Sequence, residues 1–155
     1  MVSRLALGFL VAASAVLAFT AARAAEEGEE KKVEIKCPVS GKAADKANAV
    51  AYKGAEVYFC CMNCPKAFEK DTAKFATKAN HQLVATEQAE QKKCPITGRP
   101  LNKEQTVKVA DVEVTFCCPN CKGKVAKAEG KEQLELVFSD KAFEKAYEVK
   151  KEEKK

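Results

Sequence analysis

The chain has 155 residues, a formal net charge of +5 and 32% charged residues. Its Lys and Glu are intermixed rather than gathered into a basic stripe, which excludes nucleic acid as a partner. Its single histidine, His81, has no repeated acidic partner, which excludes a hydrolytic centre, and no enzyme is expected.

The N-terminus comes first. Arg4 gives a positive start, Leu5 to Phe19 is almost wholly apolar, and Ala22-Arg23-Ala24 is a small-x-small signal. These parts predict a secretory signal peptide over residues 1–24, cleaved after Ala24. Leu5 to Ala22 approaches the minimum length for a bilayer span, but it is Ala-rich and ends in the cleavage signal. Losing Arg4 and Arg23 lowers the net charge to +3. No later apolar stretch is long enough to span, so a periplasmic or secreted chain is expected, with no membrane insertion after cleavage. Residues 25–34 read as a disordered N-terminal stretch, and Lys150 to Lys155 as a charged tail.

All eight cysteines fall into two copies of one pattern, offset by 57 positions. Cys37 opens KCPVSGK and is followed by FCCMNC, with Cys60, Cys61 and Cys64; Cys94 opens KCPITGR and is followed by FCCPNC, with Cys117, Cys118 and Cys121. The expected modules are therefore 35–80 and 92–130, joined by a linker over 81–91 and followed by a C-terminal strand or helix and tail over 131–155. Modules this small bury little apolar surface and commonly rely on a metal or on disulfides.

Within each module a Cys-Pro-x-(Ser/Thr)-Gly turn comes first, with Gly41 or Gly98 supplying the permissive backbone. Two short strands follow, near Ala49–Tyr52 and Ala55–Phe59 in the first module and Thr106–Val109 and Val112–Phe116 in the second. The alternation of Val107, Val109, Val112 and Val114 predicts a half-buried hairpin. Lys53-Gly54 has the glycine a two-residue hairpin often uses, and Ala110-Asp111 is a weaker turn signal. Helices come next: one from Pro65 to about Lys78, one from Asn120 to Ala128 that Gly130 terminates, and a third from Asp140 to Lys150. The fold class expected is α+β.

A hairpin brings its ends together, so Cys37 or Cys94 can meet the cysteine triplet beyond it. Cys61 and Cys64, like Cys118 and Cys121, are three apart at a helix start, where free N–H groups favour thiolate. Cys60 and Cys117 end their strands and can point into the same corner. Four thiols per module suit about one soft ion each, Zn2+ or alternatively Cu+, held by four thiolates or by three with an open position. Metal ions are the partners these residues imply; they say nothing of a protein partner. Export leaves disulfides as the competing reading, since an even cysteine number in a small secreted chain is a disulfide signature. Against it, Cys60-Cys61 and Cys117-Cys118 are vicinal, and bonding neighbours strains the bridge. A thiol-redox enzyme is disfavoured because each module is too short for a thioredoxin-like fold. His81 and Met62 read as a linker residue and a packing residue rather than ligands. Asn63 and Asn120 read as turn formers, and Phe59 and Phe116 as core.

The segments Cys37-Pro38-Val39-Ser40-Gly41, YKGAEVYF, Phe59-Cys60-Cys61 with Cys64, and PKAFEKDTAKF together resemble the YHS/TRASH-type heavy-metal-binding domains. The second module is similar at CPITG and FCCPNC and departs afterwards. The resemblance implies two tandem treble-clef-like modules in an exported bacterial protein, binding metal for sensing, trafficking or resistance. Many members carry a cysteine where this chain has Ser40 and Thr97.

Overall fold

Lys53 and Gly54 both take left-handed backbone, φ 52° and 87°, and so turn β1 (Asp45–Tyr52) back onto β2 (Ala55–Phe59). Successive positive φ values make a primed turn, whose twist matches that of paired strands. The computed structural model describes residues 34–150; the predicted leader, nearly all of the stretch 25–34 and the residues 151–155 lie outside the described residues. In the first hairpin Val50 faces Val57 and Tyr52 faces Ala55, with a register shift between Asp45 and Ala49.

The second hairpin, β4 (Asn102–Val109) and β5 (Val112–Phe116), pairs Val107 with Val114 and Val109 with Val112, and its register shifts between Asn102 and Thr106. Ala110 and Asp111 form its turn at φ 44° and 71°. A non-glycine pair thus adopts the geometry that Lys53-Gly54 reaches with one glycine. Val109, Val114 and Phe116 are fully buried, as the alternation requires.

The helices depart from the expected boundaries in four places. The helix expected to reach Lys78 is two helices, α1 (Asn63–Lys70) and α2 (Thr72–Ala85). Asp71 separates them: its carboxylate accepts from the Lys74 N–H at 3.2 Å and caps α2, a role that suits aspartate better than a mid-helix position. The linker expected over 81–91 is mostly regular structure, because α2 runs through Leu83, fully buried, to Ala85, and Ala89–Gln91 forms β3.

The third departure is at Gly130. α3 (Pro119–Lys127) ends at Ala128 in extended backbone, and Gly130, φ 53°, opens α4 (Gly130–Phe138) instead of terminating α3. Gln133 donates to the Val125 carbonyl at 3.1 Å, satisfying one of the carbonyls left over at the end of α3. Lastly, α5 (Asp140–Ala146) stops short of Lys150. Tyr147 turns extended, and β6 (Tyr147–Val149) pairs antiparallel with β3, Gln91 facing Tyr147.

The architecture among the described residues is therefore α+β, five helices with three two-stranded antiparallel sheets. One apolar cluster runs through both halves, joining Phe59, Phe68 and Leu83 to Val109, Phe116 and Val125 and to Phe138, Phe143 and Tyr147. α5 is tied to the first hairpin by Asp140, whose Oδ1 accepts from Tyr52 Oη at 3.1 Å and Asn80 Nδ2 at 3.0 Å and lies 2.9 Å from Lys53 Nζ. Burial raises the Asp140 carboxyl, but the Asn80 and Lys53 contacts outweigh it and hold the group below its usual range. Among the described residues no helix is long and apolar enough to cross a membrane.

Candidate metal centres

Each centre begins with a closed turn. The Cys37 N–H donates to the Lys42 carbonyl at 2.7 Å, and the Gly41 N–H returns to the Cys37 carbonyl at 2.8 Å. Gly41 takes φ 75°, which only glycine adopts without strain. Cys94 repeats the turn with Arg99 at 2.9 Å and Gly98 at 2.7 Å. Both first cysteines are buried, at 1% and 0% exposure.

The turn is fastened to its hairpin by a glutamine. Gln82, on α2, accepts from the Tyr58 N–H at 2.7 Å and donates to the Tyr58 and Lys36 carbonyls at 2.8 and 2.9 Å. Gln91, on β3, does the same in the second half, to the Thr115 N–H and carbonyl at 2.9 and 2.7 Å and the Lys93 carbonyl at 3.1 Å. The residue before the first cysteine is thereby held to the strand that delivers the triplet. Neither glutamine stands in a cysteine motif, and they come from different elements. Sequence reading therefore missed them, since Gln91 stands among Glu90, Lys92 and Lys93 and nothing local marks either glutamine.

Cys37, Cys60 and Cys64 bring their sulfurs within 4.8 Å of one another, and so do Cys94, Cys117 and Cys121. Cys60 Sγ lies 3.6 Å from Cys64 Sγ, and Cys117 Sγ lies 3.8 Å from Cys121 Sγ. Sulfurs bound ~2.3 Å from one tetrahedral ion stand ~3.8 Å apart, which the Cys60–Cys64 and Cys117–Cys121 edges match, so each trio could hold a metal ion. Cys61 lies beside the first trio, 3.8 Å from Cys60 and 3.6 Å from Cys64, and Cys118 lies 3.7 Å from Cys117. The structure thus draws all eight predicted cysteines to two corners, with a trio at each and one further thiol on its flank.

All eight cysteines are free thiols. Burial opposes ionisation of Cys37, yet the Ser40 hydroxyl and the backbone N–H groups of Ser40, Cys60 and Val39 outweigh it and lower the thiol to about 7. Cys94 is lowered to about 7 against the same burial, by the N–H groups of Thr97 and Cys117, the Thr97 hydroxyl and the Ile96 N–H. Burial pushes Cys64 and Cys121 up to about 12, helped by their thiol neighbours. Cys61 is lowered by the N–H groups of Asn63 and Cys64 at the start of α1, and Cys118 by that of Cys121. Each corner thus combines a ready thiolate with a thiol that gives up its proton only to a competing positive charge.

Ser40 and Thr97 belong to these corners too. Ser40 Oγ is 3.1 Å from Cys60 Sγ, and Thr97 Oγ1 is 3.2 Å from Cys117 Sγ. Hydroxyls at these positions meet sulfur and steady it. Phe59 and Phe116, both fully buried, line the core beneath, as expected.

His81 stands apart from the sulfurs. Its Nε2 donates to the Ala110 carbonyl at 2.8 Å, and its ring lies edge-on to Phe138 at 5.0 Å. Burial keeps its pKa below the ordinary 6.5. It supports the second hairpin turn from α2. Met62 overturns its reading as a packing residue: it is 71% exposed, in a run with Cys61 and Asn63 that faces solvent. No family model, curated protein or solved structure matches the chain.

Proposed function

We propose that this chain is an exported soft-metal-binding protein that buffers or passes zinc or cuprous copper in the bacterial envelope, about one ion per corner. One observation carries the reading: two trios of sulfurs, each within 4.8 Å, on matching turn–hairpin–helix corners. The donor set fits such an ion, since it is all sulfur, is partly ionised near neutral pH and sits over an apolar floor. Cys37, Cys60 and Cys64 would hold one ion and Cys94, Cys117 and Cys121 the other, with Cys61 and Cys118 within reach as fourth ligands. The likeness to YHS/TRASH-type domains supports the same role, and the apolar leader supports export.

A structural reading is favoured by the burial of Cys37 and Cys94 in the common core, where an ion would chiefly hold the fold together. On either reading the chain is no enzyme. X-ray absorption at the zinc edge of the reduced, zinc-loaded chain tests the site: the expected first shell is sulfur at ~2.3 Å. A shell dominated by oxygen or nitrogen would contradict it.

A further inference from the structure

The two corners share their donors and differ in their covering. In the first, Cys61 is exposed and forms a second triangle with Cys60 and Cys64, with edges of 3.8, 3.6 and 3.6 Å. This outer triangle shares the Cys60–Cys64 edge with the buried trio. Met62, beside it, is the one large apolar residue exposed among the described residues. A side-chain carbon added at Gly41 would meet nothing within 4 Å, so the turn that carries Cys37 is open on that side.

The second corner is closed where the first is open. Cys118 is half-buried and in extended backbone, φ −160° and ψ 163°, because Pro119 follows it and starts α3. In the first corner Met62 stands where the second has Pro119, so Cys61 lacks the restriction a following proline imposes. The stem of Lys145, on α5, lies 3.3 Å from where a side-chain carbon at Gly98 would stand, and its Nζ donates to the Ile96 carbonyl at 3.3 Å. α5 therefore straps the turn that carries Cys94.

We propose that the corners have different duties: the first exchanges its ion with an incoming thiolate through Cys61, and the second keeps its ion for structure. This rests on the metal-binding reading above. The ion can move from the buried trio to the outer triangle while keeping Cys60 and Cys64, so only the bond to Cys37 is traded for one to Cys61. An acceptor thiolate then replaces the protein sulfurs one at a time. Each metal–sulfur bond broken is matched by one formed, each displaced protein thiolate takes up the proton that an acceptor thiol gave up on becoming the attacking thiolate, and no electrons change hands. A sulfur acceptor fits because the groups exposed at the first corner, Cys61 and Met62, are themselves soft.

The test is the kinetics of zinc release from the reduced full chain, loaded with zinc and challenged with excess small dithiol chelator. Two phases are expected, each carrying about one zinc. Met62→Pro gives the first triplet the sequence of the second; φ −64° admits proline, and a proline there restricts Cys61 before it to extended backbone, the conformation of Cys118. It should slow the fast phase roughly tenfold, the scale on which residues around a metal site alter its affinity. Lys145→Ala should speed the slow phase alone. A single phase carrying both ions, or a fast phase that ignores Met62→Pro while Lys145→Ala leaves the slow phase unchanged, overturns the assignment and leaves metal binding intact. A reduced chain that takes up no zinc overturns both.

Discussion

The side-chain amide of Gln82 lies along Tyr58 as a neighbouring strand would, accepting from its N–H at 2.7 Å and donating to its carbonyl at 2.8 Å. The same nitrogen reaches the Lys36 carbonyl, so one buried side chain joins the backbone before Cys37 to the backbone before Cys60. In a two-stranded hairpin an unpaired edge is exposed or must be covered, and here a side chain covers it.

Gln82→Ala removes the three hydrogen bonds that tie Tyr58 and Lys36 to α2. It should lower stability by about 2 kcal/mol, the scale of losing several part-buried hydrogen bonds. It should also weaken zinc binding at the first corner and spare the second; Gln91→Ala should do the reverse. Urea unfolding and competitive zinc titration of the two variants, side by side, check this. Equal weakening of both corners by either change would contradict it.

The metal-free chain should show a stability maximum in pH. Cys37 and Cys94 ionise at about 7 when folded against an ordinary 9.0. Their contribution is present above pH 9 and is lost as pH falls from 9 towards 7. Cys64 and Cys121, raised to about 12, are favoured as thiols by the fold, and their contribution is lost as pH rises from 9 towards 12. The Tm of the reduced, metal-free chain should therefore peak near pH 9 and fall on both sides. Ser40→Ala removes one of the groups that lower Cys37, so it should shift the acid limb upward. A Tm that declines steadily from pH 7 to pH 9 would contradict the assignment.

Ala110 holds φ 44° at the second hairpin turn, where the first hairpin has Lys53 at φ 52° followed by Gly54. Left-handed backbone costs a side-chain-bearing residue about 1 kcal/mol. Ala110→Gly should relieve it and raise stability by up to ~1 kcal/mol, less the entropy glycine loses on folding. Thermal unfolding of the zinc-loaded chain measures the change. Destabilisation greater than ~1 kcal/mol would show that the alanine methyl packs in a way that outweighs the strain.

Both hairpins were legible because local rules write them: alternating valines and a two-residue turn leave little choice of register. The cysteine corners were legible for the same reason, since turn, hairpin and helix start are near neighbours in the chain. The rest depends on distant partners. β3 and β6 are three residues each and pair only because α4 and α5 bring Tyr147 to Gln91. The division of α1 from α2 hangs on one carboxylate, Asp71, inside an otherwise helical pattern. The contrast between Cys61 and Cys118 was invisible in their identical spacing. The differences nearby are Met62 against Pro119, and a lysine from α5 that reaches the turn of Cys94 and has no counterpart at Gly41.

The most direct test of the central claim is elemental analysis of natively purified protein together with a thiol count after demetallation. The account predicts about two soft-metal atoms per chain and eight free thiols, with metal loss loosening both halves. Protein that comes out metal-free, with its cysteines already paired as disulfides, would contradict it.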